Sequence, residues 1–88
     1  MKLIIAIIQN TDSDAVSQAL VEGKFRITRI ASTGGFFRRG STTFVVGVRD
    51  ERVDLAIEEI RRSLSPQSDA NEKRATLFVI PVESFEQF

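Results

Sequence analysis

The chain has 88 residues, twelve acidic and twelve basic side chains, a formal net charge of zero, and neither Cys nor His. Those two absences exclude disulfides, thiolate metal sites, Ser/His/Asp and Cys/His nucleophilic sets, and the commonest general base. The length predicts one domain over residues 1–88, small enough that oligomerisation is an expected source of stability.

Residues 3–8, Leu-Ile-Ile-Ala-Ile-Ile, are apolar at consecutive positions. Such a run predicts a strand buried on both faces and is too short to span a bilayer, so a soluble, cytoplasmic protein with no membrane partner is expected. Thr11, Asp12 or Ser13 is expected to cap a first helix whose stripe is Ala15, Val16, Ala19 and Leu20. Gly23 is expected to end it in the left-handed conformation. Residues 25–31 read as a second strand, with Arg26 and Thr28 on one face and Phe25 and Ile27 on the other. A Gly-Gly loop follows, and residues 42–48 form a third strand rich in Thr, Phe and Val. Asp50 is expected to cap a second helix with the stripe Val53, Ala56, Ile57, Ile60 and Leu64, and with Arg61 and Arg62 suited to its C-terminal dipole. Residues 65–73 read as a loop, residues 75–82 as a last strand, and residues 85–88 as a tail with two aromatic anchors.

The order β-α-β-β-α-β predicts an α+β, ferredoxin-like fold: an antiparallel sheet with two helices on one face. Two helices cover one face only, yet the strands carry apolar residues toward both. The second face is therefore expected to meet another subunit.

Residues 24–49 hold six bases (Lys24, Arg26, Arg29, Arg38, Arg39 and Arg49) and no acid. Within them lies Thr33-Gly34-Gly35-Phe36-Phe37-Arg38-Arg39-Gly40. Glycines permit close backbone approach, phenylalanines offer flat apolar faces, and arginines offer planar donors that fit phosphate. The pattern suits a small anionic ligand with aromatic rings, such as a nucleotide. The plainer reading is a hairpin loop with a solvated basic flank, and Phe37 is as readily a core or interface residue. The loop lacks the GK[ST] ending of a P-loop and joins two strands, unlike a Rossmann turn. A sequence pI near 6.2 argues against DNA or RNA as partner. The carboxylate pairs Glu58-Glu59 and Asp12/Asp14 read as solvated helix faces, so no enzyme activity, metal or cofactor is expected.

Several segments resemble a known family. They are Met1-Lys2-Leu3-Ile4-Ile5-Ala6-Ile7-Ile8-Gln9, Phe25-Arg26-Ile27-Thr28, Ser32-Thr33-Gly34-Gly35-Phe36-Phe37-Arg38, Thr42-Thr43-Phe44, Arg52-Val53-Asp54, and Ala75-Thr76-Leu77-Phe78-Val79-Ile80-Pro81-Val82 with Phe85-Glu86-Gln87-Phe88. Together they look like the PstA-type cyclic di-AMP receptors, which are PII-like signalling proteins. The resemblance leaves out residues 63–74, where family members carry a long excursion ending in Gly-Gly.

The resemblance implies a homotrimer with one cyclic di-AMP in each cleft between neighbours, and a downstream protein partner that the sequence does not name. It also implies that Arg26 and Thr28 hold phosphate and base, and that Gly35, Phe36 and Phe37 line the adenine pocket. Gly47 would let the ligand lie against the sheet, Phe78 would pack on it, and Gln87 would reach across from a neighbouring subunit. Lys24 and Ser41 occupy polar ligand positions that the family fills with Asn. Two alternatives stay open: a PII-like trimer for another adenine nucleotide, and a ligand-free trimeric protein-interaction module.

Overall fold

A computed structural model of the protein describes residues 1–32, 40–66 and 73–88. The elements are β1 (Lys2–Gln9), α1 (Asn10–Glu22), β2 (Arg26–Ser32), β3 (Ser41–Val48), a 3₁₀ turn (Asp50–Arg52), α2 (Val53–Ser63) and β4 (Ala75–Pro81). The strands form one sheet in the order β2-β3-β1-β4, with every neighbouring pair antiparallel. This is the α+β, ferredoxin-like, PII-like arrangement expected from the order of elements.

Alternation along the strands divides the sheet into two unlike faces. Ile4, Ala6 and Ile8 of β1 and Thr42, Phe44, Val46 and Val48 of β3 are buried under the helices. They meet Val16 and Leu20 of α1 and Ala56 and Ile60 of α2, while Val53, Ile57 and Leu64 pack around that core. Burying side chains of this size contributes about 1.5–3 kcal/mol each. On the other face, Leu3, Ile5, Ile7 and Val45 are only half-buried, and Phe78 and Ile80 are exposed. The apolar run of β1 is therefore sealed on one side of the sheet and open on the other within the chain.

The helix ends differ from expectation. Helix α1 starts at Asn10, and neither it nor α2 has a side-chain cap. Asp12 is buried and accepts a hydrogen bond from Ser65 Oγ at 3.1 Å, whereas Ser13 Oγ donates to the Asn10 carbonyl at 2.9 Å. Asp12 is thus no solvated carboxylate. It ties the start of α1 to the chain leaving α2.

Asp50 does not cap α2 either, because its carboxylate accepts from the Met1 amino group at 2.9 Å. Gly23 has φ −76°, and the left-handed residue is Lys24 at φ 66°. The Phe25 amide donates to the Leu20 carbonyl and the Lys24 amide to Val21, closing a Schellman turn. Gly23 is needed for another reason: a Cβ there would stand 3.1 Å from the Phe25 ring.

Candidate ligand-binding site on the open sheet face

Register fixes which residues share a row on the open face. Arg26 pairs with Gly47, Gly47 with Leu3, and Leu3 with Ile80. The next row on that face is Thr28, Val45, Ile5 and Phe78. Arg26 and Thr28 therefore project from the edge strand beside an apolar floor made by Leu3 and Val45. Beyond β4, the Val82 amide donates to the Met1 carbonyl at 3.1 Å, and the tail carries Phe85 and Gln87 back to the same place. The result is a depression of about 380 Å³ lined by Arg26, Thr28, Val45, Gly47, Phe85 and Gln87 with Leu3. Its size lies within the usual range for small-molecule sites, and its few polar groups converge on an apolar floor.

Gly47 explains why the depression is open. It sits within β3 without a positive φ, so no backbone strain calls for glycine. A Cβ there would meet nothing within 4 Å. Glycine inside a strand weakens it, and one common reason to keep it is close approach by something outside the sheet.

A second concavity of about 510 Å³ adjoins the first across Met1, Arg26 and Gly47. Lys24, Arg49 and Arg52 line it, with Glu51 as the acid. Arg52 holds this corner together: its Nη2 donates to the Gly23 carbonyl at 2.9 Å, and its guanidinium lies 4.2 Å from the centre of the Phe25 ring. That pairing joins residues 29 positions apart, and no local spacing announces it. At the rim, the hydrogen bond from the Met1 amino group holds the Asp50 carboxyl below the ordinary aspartate range. The charges of that amino group and of Lys2 act in the same direction, against some desolvation.

The expected ligand residues fall into three groups. Arg26, Thr28, Gly47 and Gln87 come together in the depression, with Lys24 in the adjoining concavity. Gln87 lines its own chain's depression, so no neighbouring subunit is required to bring it there. Ser41 and Phe78 stand apart. Ser41 pairs with Gln9 at the far end of β3, six residues and roughly 20 Å from Gly47. Phe78 shares the row of Thr28 but lies three strands away, roughly 14 Å. Gly35, Phe36 and Phe37 lie outside the described residues, as do Arg38 and Arg39.

The basic stretch also divides. Arg29 pairs in register with Phe44 and lies over that ring at 5.3 Å, with Asp14 at 3.7 Å. It belongs to the helix side of the sheet and not to the depression. Phe85 and Phe88 do not anchor the tail within the chain: both are exposed, although Phe85 walls the depression. Among the described residues, no group of three or more His, Cys, Asp or Glu is placed to hold a metal ion, and no helix is long and apolar enough to cross a membrane.

Comparison with known proteins agrees with this fold. Over 99% of its length and 96% of the other chain, the protein superposes with a TM-score of 0.80 on the crystal structure of a functionally unknown protein from Pediococcus pentosaceus ATCC 25745. The two sequences are 34% identical, and such mutual coverage means that the chains have nearly equal lengths. The sequence profile of the cyclic-di-AMP receptor family matches residues 1–71, a span that includes Arg26, Thr28 and Gly47, and the chain belongs to that family.

Proposed function

We propose that the protein binds cyclic di-AMP over Gly47 and acts as a signal receptor without enzymatic activity. The observation that carries this reading is the unfilled space above Gly47, beside the Arg26 guanidinium and the Thr28 hydroxyl. Arg26 supplies a planar, permanently charged donor to a phosphodiester. Thr28 and Gln87 provide hydrogen bonds to base or sugar, and Leu3, Val45 and Phe85 provide apolar surface for a purine. Lys24 adds a polar contact from the adjoining concavity, Ser41 reaches the ligand only from a neighbouring subunit, and Gly35, Phe36 and Phe37 are the further ligand residues that the family resemblance implies.

The receptor is a cytoplasmic homotrimer with one ligand in each cleft between subunits. Support for assembly comes from the open sheet face, where Phe78 and Ile80 are half exposed and Leu3, Ile5 and Ile7 are incompletely covered. A neighbour packed on that face shields them and brings its own surface toward the depression, so a Phe78 that stands apart from Arg26 within one chain can meet the ligand from the adjoining subunit. Signalling then passes to a protein partner through the loops around the ligand.

The test is calorimetric titration of the pure protein with cyclic di-AMP, cyclic di-GMP, AMP and ATP. Tightest binding of cyclic di-AMP is expected. Tighter binding of AMP or ATP reassigns the site to another adenine nucleotide, and no binding by any of the four leaves a protein-interaction trimer.

A further inference from the structure

The concavity beyond Gly47 is assembled from two turns, the Schellman turn at residues 20–25 and the 3₁₀ turn at residues 49–52. The Arg52 amide closes the second on the Arg49 carbonyl at 2.9 Å, and the Arg52 side chain locks it to the first through Gly23 and Phe25. Two cations are thereby placed at defined positions. Lys24 is held at φ 66°, a conformation uncommon for a residue with a Cβ, and Arg49 directly follows β3. Neither they nor Arg26 makes an ion pair or a side-chain hydrogen bond among the described residues. The Met1 amino group at the rim is already neutralised by Asp50. Glu51 is exposed and pairs with none of the three cations. Three unpaired cations around an open concavity repel one another, and an anion between them removes that repulsion.

We propose that this concavity is a second anion subsite, in which Lys24 and Arg49 take a phosphate group distinct from the one held beside Thr28. Because both concavities share Arg26 and Gly47, one ligand can straddle the glycine and occupy both. The phosphate comes either from the second phosphodiester of a cyclic dinucleotide or from the terminal monoester of a linear, 5′-phosphorylated diadenylate. The subsite deepens the cyclic di-AMP reading, but its anion chemistry is testable without it.

The experiment titrates inorganic pyrophosphate, cyclic di-AMP and 5′-phosphorylated linear diadenylate into the wild type, Lys24→Asn, Arg49→Asn and, as a control at an exposed cation of α2 outside both concavities, Arg61→Asn at low ionic strength. Asn tolerates the left-handed conformation well and Arg49 is exposed, so both charge variants keep the fold. Each should weaken pyrophosphate about tenfold, the scale of one charge-assisted hydrogen bond, while Arg61→Asn leaves it unchanged. A parallel loss for cyclic di-AMP places its second phosphodiester in the subsite, and a loss confined to the linear form places the terminal phosphate there. Pyrophosphate binding that ignores Lys24 and Arg49, or that falls equally in Arg61→Asn, overturns the subsite. Wild-type protein that binds pyrophosphate through Lys24 and Arg49 but ignores cyclic di-AMP overturns the ligand reading and keeps the subsite.

Discussion

The two faces of the sheet are built from the same strands, in places from adjacent residues, and they do opposite things. On the helix side, Ile4, Ala6, Ile8 and Val46 have no exposed surface and Phe44 is 1% exposed. On the other side, Phe78 is 51% exposed and Gly47 carries no side chain at all. One face is a close-packed core, where volume decides stability. The other is an unfinished surface, where what is absent decides function. A change that matters on one face should therefore be read by a different measurement from a change on the other.

The largest effect expected is on the covered face. Phe44→Ala should destabilise the chain by about 3–5 kcal/mol in urea denaturation, the usual cost of emptying a buried aromatic site. Ile5→Lys, one strand away on the open face, should keep the circular dichroism of the fold and instead convert the proposed trimer to monomers in light scattering. A variant that unfolds outright would mean that the open face belongs to the core of the single chain.

Next in size is Arg26→Ala, which should cost about 1.5–3 kcal/mol of cyclic di-AMP binding and leave the denaturation midpoint nearly unchanged. Affinity unaltered in that variant would place the phosphate elsewhere.

Smaller effects come from the rim. Lys24→Gly removes a non-glycine residue from φ 66° and should stabilise the chain by about 1 kcal/mol while weakening the ligand. The smallest concerns Asp50. Its folded pKa lies below the unfolded one, so its contribution is fully present above the ordinary aspartate pKa of about 3.9 and is lost as pH falls through the depressed folded value. The urea-midpoint difference between wild type and Asp50→Asn should be constant from neutral pH to about pH 5 and shrink at lower pH. A difference that grows on acidification would contradict the Met1–Asp50 pairing.

The fold was legible because its signals are periodic. The apolar run of β1, the stripe of α2 and the Thr-Phe-Val alternation of β3 each survive as elements within a residue or two of their expected bounds. The caps were not legible, since Asp12 and Asp50 found tertiary partners that local preference does not weigh, and the Ser13 hydroxyl donates to the Asn10 carbonyl within its own helix. Gly23 was misread for a related reason. The Phe25 ring needs its missing Cβ, and the left-handed strain passes to Lys24.

In the candidate site, Arg26, Thr28 and Gly47 were legible as a group because strand pairing brings them together through register alone. Arg29, only three residues from Arg26, was grouped with the site bases although it lies on the opposite face. Arg52 carried no sign of its contact with Gly23, because that contact exists only once both turns have formed.

Gly47 is where the two faces can be set against each other in one protein. In Gly47→Val, the new side chain meets nothing within the chain and suits a strand, so thermal stability should hold or rise. The same side chain fills the space beside Arg26, so the calorimetric heat of cyclic di-AMP binding should vanish. A Gly47→Val protein that binds cyclic di-AMP as tightly as the wild type would contradict the account, because the ligand would then not lie over this glycine.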